Sequence, residues 1–133
     1  LRRQRHARLS DEERRLRAVI DDSLLNPTSG LAALERHRAH LRDQHTRRRL
    51  DDAQYQLLDH RAVRAMKSAR YRLLGSSLNK LTPHFRRLLD TALEDGNVTT
   101  GEMAALVNAL EDETALSPPE RERLRALLGA WAR

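Results

Sequence analysis

Three sets of side chains in this 133-residue chain have types and spacings that bear on chemistry. The first is Leu93-Glu94-Asp95-Gly96-Asn97-Val98-Thr99-Thr100-Gly101-Glu102. Placing Gly96 at the obligatory glycine of a helix–loop–helix calcium site puts Val98 at its central β-branched position and Glu102 at its bidentate position. The earlier ligand positions then fall on Thr91, Leu93 and Asp95. A hard divalent ion takes about six oxygens, and this loop supplies too few. The same residues read without strain as a corner. Asp95-Gly96 ends one helix, Val98 enters the core, and Thr99 with Glu102 makes a capping box for the next helix. The expectation is no metal and no cofactor, with Asp95 and Glu102 as the residues that a metal would use.

The second set is His37, His40 and His45 on one expected helix. His37 and His40, three apart, share a face as helical zinc ligands do. His45 is poorly phased, a third ligand of the right kind and a carboxylate behind the ligands are missing, and Arg36, Arg38 and Arg42 set a field that repels a cation. They are expected as surface histidines that add positive charge below about pH 6.5.

The third set is the arginines. Of 25 basic residues only Lys67 and Lys80 are lysines, and the formal net charge is +6. Residues 1–90 carry 21 Lys+Arg against 11 Asp+Glu, whereas residues 91–133 carry 4 against 8. A high-GC bacterial genome accounts for the arginine preference but not for this asymmetry. Guanidinium groups grip phosphate or carboxylate bidentately. Arg36, Arg38, Arg42, Arg47, Arg48, Arg49, Arg61 and Arg64 are the expected polyanion contacts, holding phosphates rather than reading bases. Base stacking has few platforms, since only 3% of the residues are aromatic.

Catalytic signatures are missing. There is no Gly-rich phosphate loop, no G-x-S-x-G and no His-Glu-x-x-His, and without cysteine there is no thiolate nucleophile and no disulfide. The carboxylate clusters sit at helix ends, where those at starts complement the dipole. The reading is not an enzyme. No apolar run approaches the roughly 20 residues of a membrane span, so no membrane is expected and the location is read as cytoplasmic.

The elements that must position these groups follow from punctuation. With 39% hydrophobic and 33% charged residues, the composition reads as mostly helical. Ser10 with Glu13 predicts a capping box opening a first helix, which Asn26-Pro27-Thr28-Ser29-Gly30 ends. Residues 31–74 contain no Gly or Pro and are expected to break near 46–52, where Asp51 and Asp52 are good N-caps. Before the break the apolar stripe is thin (Leu31, Leu34, Leu41), with His45 and Arg48 where apolar residues should continue. After it Leu50, Ala53, Leu57, Leu58, Ala62, Ala65, Met66, Ala69 and Leu73 form a fuller face. Gly75-Ser76-Ser77 stops that helix, Thr82-Pro83 starts another, and Ser117 with Glu120 starts the last. No stretch reads as a strand.

Residues 92–103, from Ala92 to Met103 across the Asp95-Gly96 turn, resemble the helix–Asp-Gly–helix turn of TerB-type tellurite-resistance domains. The resemblance covers about a dozen residues. It implies an all-helical domain of similar length, linked to stress response and in some members to metal, here through Asp95 and Glu102. The basic first half departs from that pattern.

The expectation is an all-α fold of five or six helices. Residues 73–133 form a compact helical core, and residues 1–72 form a long basic helical hairpin or arm, or the two join in one domain. The leading functional reading is non-enzymatic binding of a polyanion, nucleic-acid backbone foremost. The alternatives are a protein-interaction module binding an acidic surface or self-associating through Leu31, Leu34 and Leu41, and a TerB-like metal-responsive domain.

Overall fold

The computed structural model describes residues 2–132, in which every extended element is an α-helix. The order is α1 (Arg2–Leu25), α2 (Pro27–Thr46), α3 (Asp52–Leu74), a 3₁₀ segment (Gly75–Lys80), α4 (Pro83–Leu93), α5 (Thr100–Leu110) and α6 (Pro118–Trp131). The fold is all-α. Among the described residues the one trace of sheet is an isolated parallel bridge between Val98 and Ala132. Among the described residues no helix is long and apolar enough to cross a membrane. The chain resolves into two compact units, one ending at Arg70 and the other beginning at Tyr71.

The first unit is built by three helices. The expected capping box at Ser10 is not used, because α1 already runs from Arg2 through Ser10. Residues 2–9 hold neither Gly nor Pro, and nothing there stops a helix from extending backward. At the other end Asn26-Pro27 is a one-residue corner. Asn26 leaves helical geometry at φ −141°, its side chain accepts from the Ser29 amide at 3.2 Å, and Pro27 takes the first helical position. Helices α1 and α2 then run antiparallel in close contact. Gly30 lies inside α2 rather than in a loop, and its missing side chain is what lets the helices meet.

Helix α2 stops at a Schellman turn. The Arg48 amide donates to the His45 carbonyl at 3.0 Å, and the Arg49 amide to the Gln44 carbonyl at 2.9 Å. Arg48 occupies the left-handed position at φ 58°. Asp51 then caps α3: its carboxylate accepts from the Gln54 amide at 2.8 Å, and the Gln54 side chain answers the Asp51 amide at 3.0 Å. The break expected near 46–52 is therefore real, and both its caps are local.

The expected thin stripe of α2 is completed by polar residues. Leu31, Leu34 and Leu41 are buried together with His37, Arg38 and Gln44. The face continues through Gln44 rather than through His45 and Arg48. On α3 the buried face is Leu58, Ala62, Val63, Met66, Ala69 and Arg70. Ala53 and Leu57, expected inside, are exposed.

The second unit is positioned by side-chain caps. Thr82 caps α4, while Thr99 with Glu102 and Ser117 with Glu120 form full capping boxes on α5 and α6. Buried Glu113 accepts from the Thr82 amide at 2.6 Å and its hydroxyl at 2.9 Å, tying the α5–α6 connection to the start of α4. Around these caps Phe85, Leu89, Leu93, Leu106, Leu110, Leu124, Leu128 and Trp131 fill the interior.

The α1–α2 contact gives a direct test. An alanine Cβ at Gly30 would lie 2.3 Å from Ser23 Cα, a backbone atom that cannot swing aside. Helix propensity favours Ala over Gly by about 1 kcal/mol, and overpacking costs about 1–3 kcal/mol. Gly30→Ala is expected to lower the urea midpoint, a net loss of up to about 2 kcal/mol, where propensity alone predicts a gain.

Candidate polyanion interface

The eight arginines named from sequence do not share one fate. Arg38 is buried and forms a bidentate ion pair with Asp59, Nε to Oδ1 at 2.8 Å and Nη2 to Oδ2 at 3.2 Å. This overturns its expected role as an exposed phosphate contact. It sits on the core face of α2, and Asp59 reaches it from α3. Arg70, outside that set, is 1% exposed and lies 3.5 Å from Glu35. These cations join α2 to α3 and are not offered to a ligand.

The other seven are exposed. Arg36 and Arg42 lie on the solvent arc of α2, and Arg47, Arg48 and Arg49 project from the corner after it. Arg47 pairs with Asp43 at 3.2 Å, one turn back on the surface, an arrangement worth at most about 0.5 kcal/mol. Arg36, Arg42, Arg48 and Arg49 carry no carboxylate partner among the described residues. Arg61 and Arg64 stand apart on α3. Arg61 is 4.0 Å from Glu13, and Arg64 is unpaired among the described residues.

The corner is held in shape. His45 Nε2 is 2.6 Å from Asp52 Oδ1, and its ring stacks on Tyr55 with centroids 4.4 Å apart and planes 6° from parallel. A depression of about 390 Å³ follows, lined by His45, Thr46, Arg48, Leu50, Asp51 and Asp52. Two carboxylates therefore share the cavity with Arg48. Arg47 and Arg49, exposed at the same turn, do not line it.

His37 and His40 are not simple surface groups in a basic field. His37 is buried, and its Nε2 has no hydrogen-bond partner. His40 approaches both oxygens of buried Glu12, at 2.9 and 3.1 Å. The carboxylate that meets His40 comes from α1, 28 residues away. The His37 and His40 rings are 5.5 Å apart. Among the described residues no three His, Asp or Glu side chains converge as a metal site. At the calcium-like corner Asp95 accepts from the Asn97 amide at 3.0 Å, and Glu102 closes its capping box on the Thr99 amide at 3.0 Å.

The stripe invoked for self-association is likewise occupied. Leu31 is 7% exposed, and Leu34 and Leu41 are fully buried. They form the core of the first unit, not a sticky edge. Comparison with known proteins adds nothing to this geometry, since no protein-family model, curated protein or solved structure matches the chain.

Two measurements check the buried polar groups. Removing one partner of a buried ion pair strands the other charge, at about 3–5 kcal/mol. Asp59→Ala is expected to destabilise by about 3 kcal/mol in urea titration, while Arg38→Met combined with Asp59→Leu recovers most of that loss. Burial lowers the His37 pKa below 6.5; the neighbouring Glu12 opposes this, and His40 and Arg15 reinforce it. The unfolded chain therefore takes up this proton first, so stability is full above pH 6.5 and falls as pH drops below it. His37→Leu should flatten the decline in melting temperature between pH 7.5 and 5.

Proposed function

We propose that this chain is a non-enzymatic binding module that holds a polyanion, nucleic-acid backbone foremost, on the outer face of α2 and its C-terminal corner. One observation carries the reading. Arg36, Arg42, Arg48 and Arg49 are exposed without carboxylate partners among the described residues, while the core-facing Arg38 is consumed by Asp59. The free arginines cluster on one helix and one turn. Their contribution is charge and bidentate geometry without base stacking, which suits phosphate contacts independent of sequence.

The local backbone supports the same reading. Left-handed geometry favours glycine, and a non-glycine residue there costs about 1 kcal/mol. Arg48 accepts that strain and keeps an exposed guanidinium in the run Arg47-Arg48-Arg49. The buried acids Glu12 and Glu113 are engaged in hydrogen bonds that join elements, with His40 and with Thr82, which fits a binding role better than acid–base catalysis. A cysteine-free chain suits the reducing cytoplasm, where we place it.

Generic duplex DNA or RNA tests the reading by fluorescence anisotropy. With about five phosphates held, affinity should fall by about two to three orders of magnitude between 50 and 200 mM salt. Arg48→Glu with Arg49→Glu should weaken low-salt binding at least about tenfold and shallow the salt slope by about 2. Arg87→Glu, exposed in the second unit, should leave it within about twofold. No binding at 50 mM salt ends the proposal.

A further inference from the structure

The polyanion reading leaves Arg61 and Arg64 without a task, and their surroundings differ from the corner. They stand beside a groove of about 330 Å³ in the first unit, lined by Ile20, Ser23 and Leu24 of α1 and by Arg61, Arg64, Ala65 and Ser68 of α3. The carbon-rich wall is Ile20, Leu24 and Ala65, and the cations sit on one side of it. Among the described residues three large apolar side chains are exposed, Leu24, Leu25 and Leu57, and two of them mark this region. Leu24 lines the groove at 52% exposure, and Leu57, one turn before Arg61 on the same face of α3, is 45% exposed. A phosphate backbone gives nothing to that wall and has no reason to keep leucines in water.

We propose that this groove docks an acidic amphipathic helix of a partner protein. The shape argues for a helix. Leu57, Arg61, Arg64 and Ser68 follow i, i+4, i+7, i+11 spacing and are all exposed, a straight row of about 16 Å along α3. That length matches about three turns of a docked helix, whose apolar side chains at i, i+3, i+4 and i+7 would enter between α1 and α3. The volume admits one or two such side chains. The sign of the partner follows from charge. Arg64 has no carboxylate partner among the described residues, and Arg61 has only Glu13 at 4.0 Å. Glutamates flanking the apolar stripe of the incoming helix supply the acceptors that the fold withholds. This inference does not rest on nucleic-acid binding and uses different arginines.

The test uses the intact chain and a labelled synthetic peptide of about four turns, with leucine at i, i+3, i+4 and i+7 and glutamate on both flanks. Two controls accompany it: a scrambled peptide of identical composition without a leucine face, and a version with lysine for every glutamate. The expected dissociation constant is in the range of about 10–100 μM, with both controls at least about tenfold weaker. Arg61→Glu with Arg64→Glu, and separately Leu24→Glu, should each weaken the first peptide at least about tenfold while the variants keep their helical circular dichroism and melting temperature. Arg48→Glu with Arg49→Glu should leave it unchanged, which separates this site from the polyanion surface. Equal binding of the scrambled peptide overturns the proposal, as does loss of binding in the corner variant instead. Dimerisation in sedimentation that Leu24→Glu abolishes assigns the groove to a second copy and also overturns it. So does dodecanoate binding in place of the peptide, since the groove then takes a lipid-like anion.

Discussion

The Arg38–Asp59 pair is the constraint around which the first unit is organised. Helix α2 offers only Leu31, Leu34 and Leu41 as large apolar residues toward the interior, too few to cover its buried face. The face is completed by His37, Arg38 and Gln44, and a guanidinium in that position must find a carboxylate or the charge is prohibitive. Asp59 on α3 supplies both oxygens in fork geometry, which fixes the distance and register between the two helices. Glu35 with Arg70 and His45 with Asp52 repeat the arrangement at the two ends of the same contact. Polar pairs thus set the antiparallel register where apolar interdigitation is sparse.

Helix α1 is held by a different combination. Gly30 permits backbone-to-backbone approach at one end, and Glu12 reaches His40 toward the other. Between them Leu16 contributes the apolar contact, at 1% exposure. Because α1 meets α2 so closely, the space left between α1 and α3 falls at Ile20, Leu24 and Ala65. The groove is a consequence of which helix pair the sequence lets approach.

The local part of this fold was legible in the sequence, and the tertiary part was not. Thr82-Pro83, Thr99 with Glu102, Ser117 with Glu120 and the Asp51 cap are contacts within a few residues, so type and spacing identify them. Ser10 with Glu13 has the same spacing but lies where the chain before it is already helical, and a capping box has no orphan amides to satisfy inside a helix. Arg38 read as one more exposed cation because its partner is 21 residues away on another helix. The α2 stripe was mis-phased for the same reason. His37, Arg38 and Gln44 are polar by type, and it is the Asp59 carboxylate of a neighbouring helix that makes the burial of the Arg38 charge tolerable. Of the candidate surface, the exposed arginines followed from composition, whereas the groove needed α1 and α3 placed side by side.

The corner at residues 47–52 shows how one turn serves both stability and charge display. Three arginines stand at the C-terminal end of α2, where the helix dipole is negative, and Asp51 and Asp52 stand at the N-terminal end of α3, where it is positive. Each charge is placed at the terminus that favours it, by roughly 0.3–1 kcal/mol at an exposed site. The left-handed Arg48 works against this, since glycine would satisfy the Schellman turn with less strain. Stability alone therefore accounts for basic residues at this corner but not for a side chain at position 48. The proposed anion binding would account for both, because glycine would remove one guanidinium of the three. On that proposal stability and anion affinity make opposite demands on residue 48 and agree about residues 47 and 49. That divergence makes position 48 the place where a structural and a functional origin of the arginine cluster can be told apart.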